Sequence, residues 1–451
     1  MEKLSVLGVG ELASAALAQA KAWFFPGATF LFYAYPVLLL SWTALEGSAA
    51  VHEGEPPERR WWRCSCQRRC AAGGAAEKKA CRGSCGSGLQ LIQRCVRAVR
   101  CCGELLMMLV LAMRLVVYSL LLAPWFLRVG FAYCHDGKIR RCIRYGPNPR
   151  NFLDLYLPAE VADDTKQKVP VVIAVMGGAW IIGHRAWNAL TGMRLSQAGA
   201  IVVAVDYRNF PGGMLHDMVE DVHVALDWVF ANIAGHQGDP ENMVLIGQSA
   251  GAHLAAMALL ERCMAEAKGE PSRCKNVPLQ RRWSVRDLKG FIGVSGPFDL
   301  VDIGAHVERS RGIYNFLPRL CTKGDVARYS PTRLLKSPEW QDVAVIAAAR
   351  MPPVYLFSGE ADTTVPPSSS MGFASALRKA GVDEVQLEVA AGVRHAEPVI
   401  EDPFSGGDMQ VKLVLPFLFT EEERSRLEAL PPPYCQVPKA LAALTLRVMP
   451  F

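Results

Sequence analysis

The sequence predicts an α/β chain: a mostly parallel, doubly wound sheet with a small helical lid, preceded by apolar helices that anchor it to a membrane. Three observations carry this expectation. From Lys168 onward, short β-branched apolar runs alternate with helical stretches, the pattern of strands joined by crossover helices. One such run leads into Gly247-Gln248-Ser249-Ala250-Gly251 and then a helix. The first 144 residues differ in composition, with two long apolar segments around a basic, cysteine-rich stretch. Taken whole, the 451 residues are 51% apolar and 20% charged, which excludes a disordered or collagen-like chain.

Residues 22–45 carry no charge and exceed the roughly 20 residues that cross a bilayer. Trp23 and Trp42 stand near their ends, where interfacial aromatics belong, although Pro26 and Pro36 interrupt the run. The second apolar segment, 105–127, is broken by Arg114, so it either spans or lies in the interface. Between them, 53–88 is poor in apolar residues and reads as a disordered cationic loop on the cytosolic side. Residues 58–102 hold eleven Arg/Lys against two Glu, an excess of +9, so the net +6 leaves −3 for the rest. A nucleic-acid partner is therefore not expected, since the folded part lacks the basic surface it needs. Ten of the 14 cysteines precede residue 143. Their spacing, Cys64-x-Cys66-x3-Cys70 and Cys81-x3-Cys85, lacks the paired C-x2-C of a zinc site. Reduced thiols in a biased segment are the simplest reading, with palmitoylation beside a membrane segment the alternative.

Composition sets a domain boundary near 145, giving an anchor region over 1–144, a second domain over 145–420 and a peripheral extension over 421–451. Val169–Val175 is an apolar β-branched run, hence a buried strand, and Ala200–Asp206 is another. Met214–Ile233 is helical, with Met218, Val222, Ala225, Val229 and Ile233 on one face. A strand Met243–Gly247 and a helix Ala250–Met264 follow. Phe291–Ser295, Pro353–Ser358 and Val385–Val389 are further strands. The insertion 296–351 carries Ile313, Tyr314, Phe316 and Leu317 among charged residues and is expected to form the lid. After Phe419 a charged helix, Glu421–Leu430, runs into three prolines.

Gly-x-Ser-x-Gly between a strand and a helix is the context of a nucleophile elbow. The turn is too sharp for a β-carbon at either glycine, and it lifts the Ser249 hydroxyl above the carboxyl edge of the sheet. A developing negative charge then needs backbone donors. Ala250 supplies one, and the loop Met176-Gly177-Gly178-Ala179-Trp180 after an earlier strand supplies Gly178 and Ala179. Met176 stands where such loops usually begin with His. A serine nucleophile also needs a base and an orienting carboxylate, in the chain order Ser, Asp, His. Asp362 and His395 each lie just beyond a predicted strand, where sites of open α/β sheets form. His253 is one turn past Ser249 and is expected to pack under the loop. His184 and His216 precede the elbow and break the order, and Glu360 is the nearest rival carboxylate. No metal or cofactor is implied.

The strings Gly177-Gly178-Ala179-Trp180-Ile181-Ile182-Gly183, Asp206-Tyr207-Arg208-Asn209-Phe210-Pro211 and Gly247-Gln248-Ser249-Ala250-Gly251-Ala252-His253 resemble plant isoprenylcysteine α-carbonyl methylesterases. So does Arg150-Asn151-Phe152-Leu153-Asp154-Leu155-Tyr156-Leu157-Pro158. The resemblance spans roughly 115–418, and the wider group includes acetyl and feruloyl esterases of the BD-FAE type. It implies an α/β-hydrolase that demethylates the carboxyl-terminal prenylcysteine of proteins at an endoplasmic reticulum or Golgi membrane. It further implies that Gly177, Gly178, Ala179, Gln248 and Ala250 line the substrate ester, with Ser249, Asp362 and His395 as the triad. Two spans around a cytosolic loop would place this domain in the lumen, away from prenylated proteins. A single span or an interfacial second segment removes that conflict. Arg128, Arg140, Arg141, Arg144 and Arg150 favour the cytosolic side.

Overall fold

A computed structural model describes residues 109–159, 168–270, 283–433 and 436–449, with 99, 102–103 and 106–107. Arg114–Phe451 belong to one compact unit, described here. The expected segment 22–45 and the loop 53–88 lie outside the described residues.

Eight strands form one sheet: β1 (Ile139–Arg144), β2 (Phe152–Tyr156), β3 (Val169–Val175), β4 (Ile201–Val205), β5 (Gly238–Gln248), β6 (Leu288–Val294), β7 (Val354–Gly359) and β8 (Val385–Ala390). Their order is β1-β2-β4-β3-β5-β6-β7-β8. The β1–β2 and β2–β4 pairs are antiparallel and all others are parallel. Helices cover both faces: α1 (Ala123–His135), α2 (Ala189–Gln197), α3 (Leu215–Asn232), α4 (Ala250–Ala267), α5 (Leu300–Arg311), α6 (Ser368–Lys379), α7 (Met409–Leu418), α8 (Glu421–Glu428) and α9 (Lys439–Val448). β3 and β4, and β5 from Met243 to Ile246, are apolar because both their faces are buried. Val171, Ile173 and Val175 of β3 enter one core with α3 and α4, while Val172 and Ala174 enter the other with α2 and α7. That alternation is the strand's period of two read out as two cores.

The sheet begins earlier than composition indicates. β1 lies before residue 145, within the stretch read as anchor. Its run Ile-Arg-Arg-Cys-Ile-Arg looks cationic because it is an edge strand with exposed arginines. The apolar segment expected over 105–127 is not one rod. Among the described residues no single helix is long and apolar enough to cross a membrane. A pair, Leu109–Leu121 and Ala123–His135, bent by 74°, meets the length and composition together. Pro124 in the first turn of α1 explains the break, since proline starts a helix but cannot continue one.

This bent pair is stitched to the domain. The Arg114 guanidinium donates to the carbonyls of Val448, Arg447 and Met449 at 3.1, 3.2 and 3.0 Å, a cation at the carboxyl end of α9. Tyr118 donates to buried Glu401 at 2.8 Å, and Trp125 Nε1 to the Gln436 carbonyl at 2.9 Å. The 421–451 extension also contributes to the core, through buried Val437 and Ala442.

Candidate active site

Ser249 joins β5 to α4 with φ 52° and ψ −124°, a left-handed conformation that is strained for any residue with a β-carbon. Its N–H donates to the Val294 carbonyl of the neighbouring strand at 2.8 Å. The two flanking glycines are obligatory. A β-carbon on Gly247 would lie 2.5 Å from the Ala252 Cα, and one on Gly251 would lie 2.0 Å from the Val175 carbonyl oxygen.

Three side chains from three strand ends meet at this turn. Ser249 Oγ donates to His395 Nε2 at 2.8 Å, and His395 Nδ1 donates to Asp362 Oδ2 at 2.7 Å. The carboxylate fixes that direction, because it can only accept and so holds the proton on Nδ1. Asp362 is fixed in turn by its other oxygen, which accepts the N–H groups of Thr364 at 2.9 Å and Val365 at 2.8 Å. All three residues are buried. The loops after β7 and β8 press together: a β-carbon on Gly359 would meet the Val393 carbonyl at 2.1 Å, and Ala361 N–H donates to that carbonyl at 3.0 Å.

The Gly-rich loop after β3 abuts the elbow. A β-carbon on Gly177 would fall 2.7 Å from the Gln248 carbonyl and 2.8 Å from Ser249 Cβ. Gly178, Ala179 and Trp180 all have positive φ, at 130°, 50° and 62°. Among the described residues, the N–H groups of Gly178, Ala179 and Ala250 donate to no backbone carbonyl. Gln248 Nε2 donates to the His395 carbonyl at 3.5 Å.

The rival residues are placed elsewhere. His253 is buried, accepts from Trp180 Nε1 at 3.2 Å and donates from Nε2 to the Tyr329 carbonyl at 2.6 Å. Burial pushes its imidazole down to about 4, so it stays neutral and braces the loop. His184 accepts the Ala186 N–H, and burial likewise lowers it to about 4. His216 is exposed beside Thr322, and Glu360 is exposed and accepts the Gly392 N–H. Phe316 of the 296–351 insertion lies 6.5 Å, ring centre to ring centre, from Trp180.

A charge network beneath the Gly-rich loop was not singled out from sequence. Arg185 pairs with Asp154 at 2.8 Å and with Asp206 at 3.1 Å, and Arg150 pairs with the other oxygen of Asp206 at 2.5 Å. Tyr207 donates to the Met176 carbonyl at 2.9 Å. The available signal was Asp154 inside the apolar strand β2, since a carboxylate there must be paired. Among the described residues, no three His, Cys, Asp or Glu side chains cluster to hold a metal.

The BD-FAE family model matches residues 153–377, which include Ser249 and Asp362. Isoprenylcysteine alpha-carbonyl methylesterase of Arabidopsis thaliana is 38% identical over 75% of this chain and 76% of its own length. The probable isoprenylcysteine alpha-carbonyl methylesterase of Oryza sativa is 37% identical over 75% and 78%. Apo esterase 2 of Thermogutta terrifontis, a solved structure, is 25% identical over 58% of this chain and 86% of that one, with a TM-score of 0.42. The chain is a carboxylic ester hydrolase with an α/β-hydrolase fold, and it belongs to the isoprenylcysteine alpha-carbonyl methylesterase family.

Proposed function

We propose that the chain hydrolyses the methyl ester of the carboxyl-terminal prenylcysteine of proteins, with Ser249 as nucleophile, His395 as base and acid, and Asp362 orienting the imidazole. The continuous hydrogen-bonded path from Ser249 Oγ through His395 to Asp362 carries this reading. The substrate class is taken from the names of the plant relatives.

Ser249 Oγ attacks the ester carbonyl as His395 Nε2 takes its proton. The carbonyl oxygen becomes an oxyanion, held by the N–H groups of Gly178, Ala179 and Ala250. Gly177 and Gln248 complete the wall beside the ester. Collapse breaks the bond to the methoxy oxygen, and His395 returns its proton to release methanol. Water then enters, loses a proton to His395 and attacks the acyl-serine. Collapse, with His395 returning that proton to Oγ, frees Ser249 and the prenylcysteine carboxylate.

The reading includes attachment to an endoplasmic reticulum or Golgi membrane, with the catalytic domain, 145–420, on the cytosolic face and 296–351 as its lid. Supporting it are the apolar segment 22–45 and exposed Val117, Leu120, Leu127 and Phe131 beside exposed Arg128, Arg140 and Arg141. The test compares kcat/KM of the full chain for S-farnesylcysteine methyl ester and for p-nitrophenyl acetate. Preference for the farnesyl ester is expected. Turnover of the acetate alone would move the assignment to a broad carboxylesterase.

A further inference from the structure

The Gly-rich loop is held from behind through one carbonyl. The Gly183 oxygen accepts from Arg150 Nη2 at 2.6 Å and from Asn209 Nδ2 at 2.9 Å. Gly183 in turn touches the donor segment with no side chain between. A β-carbon on Gly178 would lie 2.3 Å from Gly183 N, and one on Gly183 would lie 2.6 Å from the Gly177 carbonyl. Gly177 then abuts Ser249. A displacement of Gly183 is therefore passed to Gly177 and Gly178 by direct backbone contact, because close-packed atoms transmit strain.

Arg150 is itself immobilised. The same Nη2 reaches Asp206 at 2.5 Å. Asp206 is shared with Arg185, and Arg185 is anchored to Asp154 inside β2. Signs alternate along Arg150, Asp206, Arg185 and Asp154, and the last three are buried, where an unmatched charge would be costly. A charged donor on a carbonyl is also stronger than a neutral one.

We propose that Arg150 is a positioning residue for ester hydrolysis: through the Gly183 carbonyl it fixes where the N–H groups of Gly178 and Ala179 point. The proposal rests on reading those N–H groups as the oxyanion site. Because the oxyanion exists only in the transition state, misplaced donors lower kcat and leave substrate binding nearly unchanged. A side chain that merely stabilised the fold would lower the number of competent enzymes and leave their turnover intact.

The experiment uses the full chain and its Arg150→Met, Arg150→Lys and Asn209→Ala variants, with p-nitrophenyl acetate as substrate. Competent sites are counted by fluorophosphonate titration, so kcat is expressed per reactive serine. Arg150→Met should lower that kcat about 10- to 100-fold, somewhat below the loss of a whole oxyanion donor, with KM within about threefold. Arg150→Lys should recover most of it, since an ammonium can serve both the carbonyl and Asp206. Asn209→Ala, which leaves the ion network intact, should show a smaller fall of the same kind. Unchanged kcat per site in Arg150→Met overturns the proposal, as does a loss confined to KM. Should Arg150→Met fail to fold, unchanged kcat per site in Asn209→Ala overturns it. A parallel Ser249→Ala control separates the two layers: persistent turnover there removes the underlying oxyanion reading as well.

Discussion

Replacing Asp362 by Asn should disable the base and spare the fold. Oδ1 accepts two backbone N–H groups, from Thr364 at 2.9 Å and Val365 at 2.8 Å. An Asn must keep its amide oxygen there, because its NH2 cannot accept. The NH2 then stands where Oδ2 stood, 2.7 Å from His395 Nδ1, and donates to it. His395 is forced into the tautomer with hydrogen on Nε2, which donates to Ser249 Oγ instead of accepting. A triad disabled by this change loses about ten-thousandfold in kcat. At about 1.36 kcal/mol per tenfold, that is roughly 5.5 kcal/mol of transition-state stabilisation. The stability cost is only about 1 kcal/mol, since both backbone hydrogen bonds survive with a neutral acceptor. Initial rates on p-nitrophenyl acetate near neutral pH, paired with a thermal melt, measure both quantities. A kcat within tenfold of wild type in a folded variant would refute the reasoning, because His395 would then not depend on Asp362 for its tautomer.

Gly251→Ala should destabilise by about 3 kcal/mol or more in urea unfolding, since its β-carbon would meet the Val175 carbonyl oxygen at 2.0 Å, and neither backbone can yield cheaply. His253→Ala should cost about 2–4 kcal/mol in the same unfolding assay by orphaning Trp180 Nε1 and the Tyr329 carbonyl. Glu401 gives a pH signature. Burial pushes its carboxyl from 4.5 up to about 7, with Glu397 adding to the rise, and the Tyr118 hydroxyl and Arg394 opposing it. The folded state therefore holds the proton more tightly than the unfolded chain. The resulting stabilisation is complete below about 4.5 and lost as pH climbs to about 7. Glu401→Gln keeps an oxygen for Tyr118, so it should flatten that slope and be the more stable form above pH 7, by up to about 3 kcal/mol. The same change in urea-unfolding free energy between acidic and alkaline pH in wild type and Glu401→Gln would contradict this.

The central sheet was legible because parallel strands buried on both faces need unbroken apolar runs, and β3, β4 and the Met243–Ile246 half of β5 supply them. The elbow was legible because its glycines are forced by backbone contact, and the expected positions of Asp362 and His395 followed from strand ends. What escaped was long-range. β1 hides in a basic edge run, and β2 is five residues long with Asp154 in its middle. Neither Arg150 nor Asn209 carries any local sign that it donates to the Gly183 carbonyl, since a backbone acceptor leaves no trace in the sequence. Arg114 looked like a fault in a membrane span, yet its partners are carbonyls more than 330 residues away. The bend after Leu121 was marked by Pro124, but the apolar run masked it.

Ser249 is proposed to carry out the hydrolysis of a prenylcysteine methyl ester. Methanol release from S-farnesylcysteine methyl ester by the full chain, beside its Ser249→Ala variant, tests it most directly. Steady turnover by the wild type is expected, with a loss on the order of a millionfold in the variant at the same thermal midpoint. Turnover by Ser249→Ala at a rate comparable to wild type would contradict it.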